Sequence, residues 1–194
     1  MSDTIKTDKN TINRLVSEKR SAGGVASASS TVPTITGFHL VEKLGETSTA
    51  EVWSAMQLSL DRLVTIWVLK REVAGNADQA DHFECVARAV SKIRHPNFVQ
   101  AIDISRLEDG VPYVIFENVE GASLATLLHT EKKFDQKKAA HIVLQIAQVL
   151  DTAWKQCGFV HRNIKPETVL LTAGDTVKIT NYNSATLAKP GENP

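Results

Sequence analysis

Three observations predict an α+β chain in which five strands and one inserted helix precede mainly helical sequence. Between Phe38 and Leu69, three runs dense in β-branched and aromatic residues are separated by polar turns. Between Asp78 and Arg94, the residues Phe83, Val86, Ala87, Val90 and Ile93 recur at helical intervals. From Asp135 onward, Ile142, Ile146, Val149, Leu150, Ala153 and Trp154 form a long apolar stripe on an amphipathic helix.

In chain order, residues 1–34 are rich in Ser, Thr, Lys, Ala and Gly and cannot bury enough apolar surface to offset ordering entropy. They predict a flexible tail, with at most a short helix over Ile12–Lys19. Phe38–Leu44 and Ala50–Met56 read as strands around a polar turn, and Leu63–Leu69 as a third strand. His95-Pro96-Asn97 stops the helix over residues 78–94. Phe98–Ile104 and Tyr113–Phe116 read as two further strands joined at Glu108-Asp109-Gly110, and Ser123–Leu128 begins a short helix. The long helix starts at Asp135 and ends at Gly158, after which the short strands Val169–Leu171 and Val177–Ile179 flank Ala173-Gly174-Asp175.

The 194 residues are 42% hydrophobic, which supplies a core for one domain or somewhat more. Lys plus Arg and Asp plus Glu balance at 22 each, so the basic footprint of a nucleic-acid binder is missing. Cys85 and Cys157 fit neither a metal-ligand spacing nor a disulfide framework, which suits a reducing compartment. No apolar run approaches the ~18 residues of a spanning helix, and no apolar segment follows Met1–Lys6 as a secretory signal requires. A cytoplasmic location is expected, with no membrane contact visible in this chain.

The most informative stretch is His161-Arg162-Asn163-Ile164-Lys165-Pro166-Glu167-Thr168-Val169, followed by Asn181-Tyr182-Asn183. It resembles the catalytic loop H-R-D-x-x-x-x-N and the metal-binding turn D-F-G of protein kinases. Leu60-Asp61-Arg62, His95-Pro96-Asn97-Phe98-Val99 and Pro112–Glu117 add a likeness to bacterial Ser/Thr kinases. The resemblance covers Phe38 to about Ala185. It implies an antiparallel five-stranded small lobe over residues 35–118 and the first, mainly helical part of a large lobe over residues 119–194. No A-P-E segment follows, so the remainder of the lobe belongs either to a longer protein or to none.

Within that frame the acidic groups are replaced. Asn163 stands at the base Asp, Thr168 at the metal-binding Asn and Asn181 at the D-F-G Asp, while Lys165 is kept. The third strand, V-A-I-K in the family, reads Val64-Thr65-Ile66-Trp67, and the partner Glu of the inserted helix falls on Val86. Lys70 lies three residues on, an odd shift that turns its side chain to the other face of a strand. Joint loss of the pair is coherent, because removing one partner alone strands a buried charge at ~3–5 kcal/mol whereas replacing both by apolar groups is often neutral. The Gly-rich loop keeps only Gly45 and Val52, and Glu46 and Glu51 are expected to repel a triphosphate.

The resemblance leaves a narrowed, vestigial nucleotide cleft at Leu44, Gly45, Val52, Thr65, Phe116 (the gatekeeper position) and Leu170, and no metal site. His161, Tyr182 and Val90 match positions that stack between the lobes in the family. The expectation is a pseudokinase acting as a binding or regulatory module for a protein partner, either an active kinase or the missing part of the lobe, with no cofactor. The rival readings are a divergent Ser/Thr protein kinase using ATP and Mg²⁺, and a nucleotide-binding switch without catalysis. The exposed apolar surface left on the long helix predicts self-association, a bound partner or further sequence beyond Pro194.

Overall fold

The computed structural model describes residues 32–188, so the expected tail and the short helix over Ile12–Lys19 fall, apart from residues 32–34, outside the described residues. From Ile35 the chain builds a five-stranded antiparallel sheet of β1 (Phe38–Glu46), β2 (Ala50–Gln57), β3 (Arg62–Leu69), β4 (Ala101–Arg106) and β5 (Pro112–Glu117). The strand order is β1-β2-β3-β5-β4. Between β3 and β4 come the short helix α1 (Arg71–Ala74) and the longer α2 (Ala77–Val90). This is the predicted α+β small lobe. The sheet is covered on both faces, which explains why β3 is apolar without alternation. Val64, Ile66 and Val68 join Trp53, Tyr113 and Ile115 in one core cluster, while Trp67 joins Val114, Phe116 and the α2 residues Val86 and Val90 in the other.

The second half carries β6 (Gly121–Ser123), α3 (Leu124–Glu131), α4 (Gln136–Cys157), β7 (Phe159–Val160), a 3₁₀ turn (Pro166–Thr168), β8 (Val169–Thr172), β9 (Val177–Ile179) and β10 (Thr186–Leu187). Ser123 Oγ accepts the Thr126 N–H at 3.1 Å, and Asp135 Oδ1 accepts the N–H groups of Lys137 and Lys138, so both helices start at side-chain caps. Gly158, at φ +64°, closes α4 with its N–H on Trp154 O at 2.8 Å. Ile142, Val149 and Ala153 are buried as the stripe predicted, together with Gln145, whereas Val143 and Leu144 stay exposed.

Some boundaries differ from the sequence reading. The inserted helix ends at Val90 rather than Arg94, because Ser91, Lys92 and Ile93 turn back with N–H bonds to Ala87, Ala89 and Val90. Phe98 and Val99 precede β4 instead of opening it; Phe98 makes a parallel bridge with Ile179 and drops into the core. The short elements α1, β6, β7 and β10 are too brief to leave a periodic signature.

A buried amide network fastens the two halves. Asn97 Nδ2 donates to Gln145 Oε1 and to Val177 O, both at 2.7 Å. Gln145 Oε1 also accepts the Val177 N–H at 3.0 Å, and its Nε2 donates to Asp175 O at 2.9 Å. Among the described residues no buried side-chain N or O lacks a partner. No helix of the described residues is long and apolar enough to cross a membrane.

Candidate functional site

The loop from His161 to Thr168 is held by side chains that bond to backbone. His161 is almost fully buried; its Nε2 faces Thr180 O at 3.0 Å and its Nδ1 faces the Asn163 N–H at 3.3 Å. A carbonyl only accepts and an amide N–H only donates, so the ring is neutral with its proton on Nε2. Burial moves its pKa in the same direction, downward. Thr168 Oγ1 lies 2.9 Å from Asn163 O and 3.0 Å from Lys165 O, and accepts the Lys165 N–H at 3.1 Å. Asn163, Lys165 and Thr168 are thus brought together, with Thr180 N–H tied to Thr168 O at 3.0 Å.

Asn181 follows at φ +64° and Arg162 sits at φ +59°. Asn tolerates the left-handed region better than most residues with a Cβ. Tyr182 is buried, stacked on Phe98 at 4.8 Å with 8° between planes and edge-on to His161 at 5.8 Å. Its hydroxyl accepts the Val99 N–H at 3.1 Å and has the carbonyls of Ile179 at 2.5 Å and Val99 at 3.1 Å as acceptors for its one proton, and burial pushes the phenol well above its usual pKa. Val90 is fully buried in the core cluster that also holds Tyr182.

On the sheet side, Val52 pairs with Trp67 and Thr65 with Phe116 across the ladders, and Gly45 pairs with Val52. Leu44 and Gly45 are exposed, Val52, Thr65 and Leu170 are half-buried, and Phe116 is buried. Trp67 is also buried and meets Phe116 edge-on at 5.8 Å. Trp67 and Val86 line one cavity of about 190 Å³. Lys70 is not among its lining residues. Just past β3, its Nζ lies 3.6 Å from Glu46 Oε1 on β1.

The expected repulsion from the β1–β2 turn needs correction. Glu46 and Glu51 both pair with Lys43, at 3.0 and 2.7 Å. Those contacts raise the Lys43 pKa, the Glu51 bond first, and hold the Glu46 carboxyl below its usual value. The turn is instead stiffened by Thr47, whose Oγ1 accepts the N–H groups of Thr49 and Ala50 at 3.3 and 2.9 Å. The same oxygen takes a bond from Asn183 Nδ2 at 2.6 Å, which pins the turn to the segment after Tyr182. Asn183 brings a side-chain amide to the position where the family carries glycine, and no spacing in the sequence links it to Thr47. Also unforeseen is buried Glu84 on α2, which pairs with Arg88 at 2.6 Å and with Arg106 of β4 at 2.7 Å. Its spacing from Val86 pointed to no partner.

Mg²⁺ takes carboxylate and phosphate oxygens in near-octahedral geometry. Asn163, Thr168 and Asn181 carry no carboxylate, and the Thr168 hydroxyl is already bonded to the loop, so this donor set does not fit that ion. Among the described residues no three His, Cys, Asp or Glu side chains gather as a metal site.

A family model described as the protein kinase domain matches residues 38–194. The chain belongs to the protein kinase family. Curated relatives of this kinase-family chain include the serine/threonine-protein kinases pkn3 of Myxococcus xanthus and PrkC of Bacillus subtilis. Pkn3 is 31% identical over 157 residues, 78% of this chain and 28% of that protein. PrkC is 30% identical over 149 residues, 77% of this chain and 23% of that protein. PknB of Mycobacterium tuberculosis is 29% identical over 151 residues, 76% of this chain and 24% of that protein. The kinase-family chain therefore spans about a quarter of the length of these relatives.

Proposed function

We propose that this kinase-family chain is a pseudokinase that works as a binding or regulatory module for a protein partner. The observation that carries this is Trp67: a buried indole, packed edge-on to Phe116, occupies the sequence position that the resemblance aligns with the family's phosphate-gripping lysine. Asn163 supports it, because a carboxamide cannot take the substrate hydroxyl proton, and a general base contributes ~10²–10⁴-fold. The donor set at Thr168 and Asn181 supports it further. These deficits touch separate parts of phosphoryl transfer, so no single compensating residue restores them all.

The test is an ATP titration with and without Mg²⁺, read by melting and by transfer of labelled phosphate to a generic basic protein. Ligand at a hundredfold excess over its dissociation constant adds about 2.7 kcal/mol, or roughly 2–4 °C per kcal/mol in a domain of this size. No shift and no transfer are expected. A second reading, a divergent Ser/Thr protein kinase, is favoured by the relatives, all named as kinases. Turnover abolished by Lys70→Ala would establish it. A dose-dependent rise in melting point without turnover would establish a nucleotide-binding switch instead.

A further inference from the structure

We infer that the cavity beside Trp67 is a binding site for one compact, uncharged aromatic molecule of about the size of indole. The cavity lies between β3, β5 and α2, with Tyr182 closing one side. Its volume of about 190 Å³ exceeds the ~150 Å³ apolar cavity that stays dry and takes up benzene, and falls short of a drug-sized pocket of ~300 Å³ or more. One or two fused rings fill such a space.

Its walls select for aromatic matter. Trp67, Phe83, Phe116 and Tyr182 contribute four aromatic rings to the lining, and Val86 and Val114 are among its aliphatic residues. Three of the four rings are held from outside, which opposes inward collapse. Trp67, Val114 and Phe116 belong to paired strands, and the Tyr182 hydroxyl is anchored on the Val99 backbone. The site is preformed, so little ordering entropy opposes a ligand.

Charge at the lining sets the class of ligand. None of its side chains is a lysine or arginine, and the only full carboxylate is Asp78, exposed at the start of α2. A phosphate or carboxylate meets no lysine or arginine there and faces repulsion from Asp78, and the remaining ionisable side chain of the lining is the exposed imidazole of His82 on α2. Gln79 and Asn183 offer amide groups to a single ring N–H or hydroxyl. The assignment stands whether or not the chain transfers phosphate.

The test uses the whole 194-residue chain and 5-fluoroindole, followed by ¹⁹F NMR and by melting. Saturable one-to-one binding with a rise in melting point is expected. Val86→Phe fills the cavity and is expected to weaken binding by about tenfold or more, while Val86→Ala enlarges it and keeps binding. Should Val86→Phe fail to fold, Ala87→Leu fills the same space from the next residue of α2 and serves as the second variant. Unsaturable uptake by the folded chain, or full affinity in both filled variants, overturns the assignment by placing the probe elsewhere. N-acetyltryptophanamide binding more tightly than 5-fluoroindole also overturns it, because the pocket then takes a side chain borne on a peptide.

Discussion

His161 is neutral in the fold because both of its nitrogens face groups of fixed polarity. A second proton would set Nδ1–H against the Asn163 N–H. With the folded pKa below the unfolded value of about 6.5, the unfolded chain binds more protons, and stability rises with pH in that window. The contribution is complete above pH ~6.5 and is lost as pH falls below it. Melting curves from pH 8 to pH 5.5 should therefore show a declining midpoint with a shallower slope in His161→Phe. His95, also shifted down by burial, keeps part of the slope in the variant. At Asn181 the backbone itself is the constraint: at φ +64°, Asn181→Gly should be tolerated and Asn181→Ala should cost about 1 kcal/mol more. Denaturant titration of the two variants measures the difference. Equal stabilities would mean the turn relaxes out of the left-handed region.

Among the elements, the three-residue strand β6 is held to β8 by close backbone approach. A Cβ on Gly121 would lie 2.6 Å from Leu171 O, and a backbone oxygen cannot swing away as a side chain does. Gly121→Ala should destabilise by ~1–3 kcal/mol through overpacking, measured by the denaturant midpoint at unchanged m. An unchanged midpoint would show that the β6–β8 pair opens at no cost. Nothing in the sequence around Gly121 announced this contact, since a three-residue strand has no period to read. The longer elements were readable because burial of one face imposes a repeat: Ile142, Val149 and Ala153 on α4, or Val86 and Val90 on α2. Trp67 lies opposite Val52 on the β2–β3 ladder, where strand register fixes which face each residue takes. The Asn183–Thr47 and Glu84–Arg106 contacts were not readable, because long-range polar pairing has no local spacing.

For the molecule as a whole, Trp67 and Val86 bring β3 and α2 to one cavity, so their substitutions should couple. Trp67→Lys buries an ammonium with no counter-charge, whereas Trp67→Lys with Val86→Glu supplies one. The double-mutant cycle should show a favourable interaction of about 0.5–3 kcal/mol, and strict additivity would show that the two side chains do not meet. The buried amide network has a consequence for synthesis of the chain. Asn97 finds its Val177 partner 80 residues later, and Gln145 finds it 32 residues later. At ~5–20 residues per second, a nascent chain lacks the Val177 partner of Asn97 for roughly 4–16 s after making Asn97. Until the β8–β9 hairpin has been made, burying either amide side chain costs its unmet hydrogen bonds, so the first half gains little by closing early. Chains ended at Gly174 should remain open to protease where chains ended at Ala188 resist it. Synthesis of the β8–β9 hairpin thereby times when the first lobe becomes permanent.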